Sequence, residues 1–108
     1  MSKEFGSETL GSVAQQVQVT VSDRDAVTTY AALCRVRGSA EEFIVDLAGP
    51  LRPTGQTTAE MLVDHRVILS PFAAKRLAMA MAETVQRYEK AYGPIELDER
   101  RRRTDTPR

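Results

Sequence analysis

The sequence is poor in cysteine, histidine and tryptophan: it has one cysteine, Cys34, one histidine, His65, and no tryptophan among 108 residues. A single cysteine excludes an intrachain disulfide, which fits a reducing compartment. No apolar run approaches the ~20 residues that a membrane span needs, and the first residues lack the apolar stretch of a secretory signal. These absences predict a cytoplasmic domain that is not inserted in a membrane.

The charges of the chain balance, with 15 basic and 15 acidic side chains. A field of one sign over the whole molecule, which would attract nucleic acid or acidic membranes, is therefore excluded. One histidine and one cysteine supply no cluster of ligands at the spacing of a zinc site. No nucleophile has a base placed beside it by the sequence pattern, so we expect no metal, no cofactor and no enzymatic activity.

Alternation of apolar and polar residues predicts an antiparallel sheet of about four strands. Gly38–Glu41 supplies the reversal of a hairpin between the second and third strands. The stretch from Gly49 to Ala59 is rich in Gly, Pro and Thr and predicts an irregular connection; it lacks the lysine and the spacing of a phosphate-binding loop. The predicted strands are Val17–Val21, Tyr30–Arg37, Phe43–Leu47 and Met61–Leu69.

A long helix should follow the last strand. Ser70 is a favourable N-cap, and Pro71 suits the first helical position because its missing N–H would be unbonded there in any case. Gly93 followed by Pro94 predicts the end of the helix near Tyr92. The fold class is therefore α+β, a sheet of ββββ order followed by one helix, with a disordered leader at 1–15, one domain at 16–96 and a charged disordered tail at 97–108.

The predicted sheet and helix carry more apolar surface than one domain of this kind would cover. The helical stretch 77–82 is apolar around its whole circumference, whereas packing on a sheet buries only one stripe of a helix. Surplus apolar surface on a small domain indicates a partner, and a second copy of the chain is the simplest one. The helix is the candidate dimer interface, and its candidate residues are Leu77, Met79 and Met81. The candidate surface for a protein partner, on the second face of the sheet, comprises Leu33, Arg35, Arg37, Ile44, Leu62, Arg66 and Ile68.

Several short motifs resemble a small prokaryotic family, domain of unknown function 3467. The resemblance covers roughly residues 28–95, and its most specific part runs from Arg66-Val67-Ile68-Leu69-Ser70-Pro71 to Tyr92-Gly93-Pro94-Ile95. The chain departs from the family where Tyr92 replaces an expected Phe and where an Ala follows Tyr30 in place of an Asn. The resemblance supports the limits of the domain and implies no activity, ligand or functional residue.

His65 is the only candidate base in the sequence. In an unbroken strand Asp64 and Arg66 face away from His65, which excludes a local Asp64–His65 pair. The same alternation places His65 on the core-facing side beside Val63 and Val67, so a structural role is expected. Asp46 and Asp64 should pair with Arg35 and Arg66 on the outer face of the sheet.

Two functions from different classes remain. The first is a non-catalytic, homodimeric protein-interaction module, which the surplus apolar surface favours. The alternative is a single-stranded nucleic-acid binder, because strand-strand-strand-strand-helix is the order of the whirly and PC4-like coactivator folds. Such binders use stacking aromatics and a basic groove. The outer face has arginines but no aromatic residue, and the Arg100–Arg103 run is flanked by acids, so the interaction module is preferred.

Overall fold

The computed structural model describes residues 17–102, which form an antiparallel sheet followed by a C-terminal helix. The elements are β1 Leu33–Gly38, β2 Phe43–Ala48, β3 Arg52–Pro53, β4 Ala59–Glu60, β5 Val63–Leu69, α1 Pro71–Tyr92 and α2 Glu99–Arg102. The three main strands lie in the order β1-β2-β5, and the two short strands β3 and β4 form a separate hairpin between β2 and β5. The predicted α+β class is therefore confirmed.

The hairpin between β1 and β2 turns where the sequence predicts. Ser39 N–H donates to the Glu42 carbonyl at 2.9 Å, and the Ser39 hydroxyl oxygen accepts from the N–H groups of Glu41 and Glu42, each at 3.3 Å. Gly38 pairs with Phe43. A Cβ at Gly38 would lie 3.3 Å from the Phe43 ring, so glycine leaves room for the ring to cross the end of β1.

The register gives the sheet two chemically different faces, because directly opposed residues of neighbouring strands project to the same side. Val36, Val45 and Val67 lie opposite one another on the first side, and Arg35, Asp46 and Arg66 do so on the second. We call the first side the apolar face; it comprises Cys34, Val36, Phe43, Val45, Leu47, His65, Val67 and Leu69. We call the second side the arginine face; it comprises Leu33, Arg35, Arg37, Ile44, Asp46, Ala48, Val63, Arg66 and Ile68.

A β-bulge in β5 changes the alternation at the start of that strand. Leu47 pairs with His65, but the next residue, Ala48, pairs with Val63, so Asp64 is the extra residue. A bulge shifts the face of every residue on one side of it. Val63 is therefore on the arginine face, and the predicted placement of Val63 beside Val67 is wrong.

The predicted first strand, Val17–Val21, is also wrong. Residues 17–32 contain no strand or helix, and Val17, Val19, Val21 and Val27 are exposed. A turn interrupts the segment, in which Ala26 N–H donates to the Asp23 carbonyl at 3.0 Å. Alternating valines favour an extended chain, but a strand also needs a neighbour to bond with, and no strand of the sheet pairs with residues 17–21.

The helix α1 has both of its predicted caps. Ser70 is extended, and its hydroxyl oxygen accepts from Ala73 N–H at 3.1 Å. Gly93 adopts φ 94°, a conformation that L side chains rarely take, while its N–H closes the helix on the Glu89 carbonyl at 2.8 Å.

The described part of the C-terminal tail includes one short helical element. A single helical turn, α2, lies within the tail 97–108 that was predicted to be disordered. Residues 103–108 of that tail and the predicted leader 1–15 lie outside the described residues.

Candidate interaction surfaces

An open apolar groove runs between the apolar face and α1. The backbone of α1 lies near that of β5, and the groove separates α1 from side chains of β1 and β2. The groove has a volume of about 640 Å³. Its side chains are aliphatic, aromatic or sulfur-containing except for one lysine, and comprise Cys34, Val36, Phe43, Val45, Leu69, Pro71, Ala74, Lys75, Leu77, Ala78 and Met81.

Several groove residues are poorly covered by their own chain, although Phe43, Val45, Leu69 and Ala74 are half-buried. Val36 is 61% exposed and Met81 is 56% exposed, and no residue of α1 is buried. Within residues 17–102 the only buried residues are Ala48 and Asp46, of which one is a small methyl group and the other a carboxylate. The described chain thus has both halves of a sheet–helix core but buries neither half completely.

The candidate dimer helix divides between two sides of α1. Leu77 and Met81 line the groove, whereas Met79 and Phe72 line a smaller depression of about 370 Å³. Phe72 and Met79 are both largely exposed. Apolar side chains therefore lie on more than one side of α1, as expected for residues 77–82, and one of these sides lines the groove.

A buried carboxylate organises the arginine face. Both oxygens of Asp46, which is 0% exposed, accept from guanidinium groups on the strands. Arg66 Nε donates to Oδ1 at 2.7 Å. Arg35 donates to Oδ2 from Nε at 3.0 Å and from Nη2 at 2.6 Å, and Arg37 Nη2 donates to the same oxygen at 3.1 Å. The one carboxylate of β2 thereby connects β1 to β5.

These contacts fix the charge state of the cluster. Hydrogen bonds from Arg66, then from Arg35, hold the pKa of the Asp46 carboxyl well below its usual range, and they outweigh burial, which acts in the opposite direction. The hydrogen bond to Asp46 likewise raises the pKa of Arg66. Three cations and one anion therefore leave the cluster with a net charge of about +2.

The structure places most residues of the predicted partner surface on the arginine face. The sequence predicted that Arg35 and Arg66 would pair with acids of the sheet, and both do so through Asp46. The participation of Arg37 was missed, although its position two residues after Arg35 places both on one face of β1. Leu62 precedes β5 and is exposed. The full predicted surface is Leu33, Arg35, Arg37, Ile44, Leu62, Arg66 and Ile68.

The pairing predicted for the second acid is wrong. Asp64 lies beside His65 instead of an arginine, with 3.1 Å between Asp64 Oδ1 and His65 Nδ1, because the bulge removes the strict alternation that would separate them. The His65 side chain is 48% exposed and not buried. Thr29 Oγ1 lies 3.3 Å from the same Nδ1. In a Ser-His-Asp relay the acid contacts one ring nitrogen of the histidine and the hydroxyl contacts the other. Here Asp64 and Thr29 both contact Nδ1, so these three residues do not form a relay.

The rest of the described chain adds few candidates. Arg100 and Arg101 pair with Asp98 and Glu96, as expected for a solvated basic run with acidic neighbours. Residues 17–102 contain no group of three His, Cys, Asp or Glu side chains placed to hold a metal ion. None of the helices in that range has the length and apolarity to cross a membrane.

The fold and its surfaces define a small α+β domain with an uncovered apolar groove on one side of the sheet and an arginine cluster on the other. The chain belongs to the family of proteins of unknown function DUF3467, which matches residues 1–97. The resemblance carried by the 66–71 and 92–95 motifs is thereby confirmed. No curated protein and no solved structure matches the chain.

Proposed function

We propose that the protein is a non-catalytic, homodimeric interaction module. Two copies cover each other's apolar grooves, and the arginine face of each copy is left open for a protein partner. The observation that supports the proposal most directly is the lack of an apolar core: Ala48 is the only buried apolar residue among residues 17–102.

A chain with this little burial lacks the main force that stabilises a fold. Ordering each residue costs roughly 1–2 kcal/mol of conformational entropy, and the burial of apolar surface is the main favourable effect that offsets this cost. The groove side chains supply such surface only when something covers them. A partner that fills the groove therefore contributes to folding as well as to association.

A second copy suits the groove because the chain carries both complementary parts. The groove side of α1 continues beyond Leu77 and Met81 to Val85 and Tyr88. Successive residues of this set are four, four and three positions apart, which is the spacing of one helical stripe, and all four side chains are exposed. In a dimer with two-fold symmetry the stripe of one copy packs on the apolar face of the other, and the reverse contact follows from the symmetry.

Light scattering on a sizing column tests the dimer directly. We expect a mass of twice the 12.0 kDa of the chain over the micromolar range, with dissociation only on strong dilution. A mass of 12.0 kDa at every concentration, together with a cooperative melt, would refute the proposal, since the single chain would then be stable with its groove uncovered.

Single-stranded nucleic-acid binding is the less well supported alternative. The arginine face has no aromatic side chain on which a base can stack, and Asp46 neutralises part of its charge. Retention of a DNA or RNA strand by the purified protein, lost as salt is raised, would favour this alternative.

A further inference from the structure

The arginine cluster is held in place before any ligand arrives. Asp46 accepts hydrogen bonds on both oxygens, so its own acceptor capacity is largely used within the chain. The three arginine side chains, by contrast, are each about half exposed. Because one buried anion orients three long side chains, a ligand that binds them loses less side-chain entropy than one that binds free surface arginines.

The cluster retains unused donors. A guanidinium carries five N–H groups, and Arg37 uses only its Nη2 on Asp46. Within residues 17–102, Asp46 is the one carboxylate that forms an ion pair with Arg35, Arg37 or Arg66. The remaining N–H groups and the net charge of about +2 suit carboxylate oxygens, which planar guanidinium groups bind in a bidentate way.

The surroundings of the cluster indicate the class of ligand. Ile44 and Ile68 share the arginine face, and Ile68 is 58% exposed, so the positive charge lies beside apolar surface. The cluster lies on the open surface of a sheet, where a small free anion would keep most of its water. An extended ligand that combines negative charge with apolar side chains fits better, and the face lacks the aromatic groups that bases require.

We propose that the cluster of Arg35, Arg37 and Arg66 around Asp46 binds glutamate or aspartate carboxylates of an acidic, partly apolar segment of a partner protein. The inference rests on the proposed function in that the partner is a protein. It goes further in that it names the chemical groups of the partner that the arginine face binds.

The test uses a fluorescein-labelled peptide in which glutamates alternate with leucine and serine, titrated with the full chain and followed by anisotropy. We expect saturable binding that weakens as salt is raised. Arg37→Ala should lower the affinity about tenfold, because it removes charge-assisted hydrogen bonds but leaves Arg35 and Arg66 on Asp46. Arg24→Ala makes the same change of charge in the exposed segment before the sheet and should change the affinity less than about twofold.

Three results would overturn the inference: no binding of the peptide by a folded protein, equal losses in Arg37→Ala and Arg24→Ala, or tighter binding of a single-stranded oligothymidine than of the peptide. If Arg37→Ala does not fold, Arg37→Lys serves instead; it keeps the charge but loses the planar donors and should still weaken binding severalfold. An unchanged affinity in Arg37→Lys would then overturn the inference. Light scattering on the same samples separates the two proposals, since a dimer that ignores the peptide refutes only this one and a monomer that binds it refutes only the dimer.

Discussion

Met81→Ala tests whether the groove is the dimer interface. Met81 is 56% exposed in the single chain, so about half of its side chain is available for burial by a second copy. Full burial of a methionine side chain is worth about 1.5–3 kcal/mol, so the available half is worth about 1 kcal/mol. The residue occurs twice in a symmetric dimer, which gives about 2 kcal/mol in all, or about a thirtyfold increase in the dissociation constant. Alanine is at least as good a helix former as methionine, so α1 itself should not weaken.

Met79→Ala is the matched control for that substitution. Met79 is 62% exposed, lies two residues away on the same helix and faces the depression with Phe72. Sedimentation equilibrium of both variants should show a weakened dimer for Met81→Ala and a dissociation constant within about twofold of the parent for Met79→Ala. The opposite ranking would place the interface on the other side of α1, and equal small effects would remove the groove as an interface.

Four other properties follow from the structure. Because Cys34 is the only cysteine and lies in the groove, its rate of reaction with a chromogenic disulfide should rise on dilution in step with dimer dissociation; a rate independent of concentration would count against coverage. Asp46→Asn should lower the Tm by about 10 °C or more, since three guanidinium groups lose their anion, whereas the exposed Asp64→Asn should change it by less than about 2 °C. The pKa of Asp46 is depressed in the folded state, so its stabilising contribution is complete above about pH 4 and declines as the pH falls further; Asp46→Asn should lack that part of the acid dependence in a series of thermal melts. Ser70→Ala removes the cap on Ala73 N–H and should cost about 1 kcal/mol at fixed protein concentration, and Ser70→Asp should restore most of it; equal losses in both variants would show that the cap is unimportant.

The elements that the sequence predicted well are those fixed by local chemistry. Ser70 with Pro71 and Gly93 with Pro94 set the limits of α1, because a hydroxyl cap and a positive-φ glycine act on the backbone within a few residues. The faces of β1 and β2 followed from alternation, since the two strands meet in a short hairpin whose register is set by Ser39–Glu42.

The features that were missed depend on contacts between distant parts of the chain. Val17–Val21 alternates as a strand does, yet no neighbour in the described chain pairs with it. The bulge at Asp64 arises from the way β5 pairs with β2, and a strict period of two cannot reveal it. That single extra residue explains both corrections in β5, the face of Val63 and the contact of Asp64 with His65.

The two proposed surfaces depend on one strand. Along β2, Phe43 and Val45 face the groove, and Ile44 and Asp46 face the arginine cluster. A sequence with period two in a central strand ordinarily indicates one buried and one solvated face. In β2 the carboxylate on the expected solvated face is buried by arginines, while the apolar face is open. A second copy over the groove would bury the apolar face as the period requires, and the arginine face would remain the side available to other proteins.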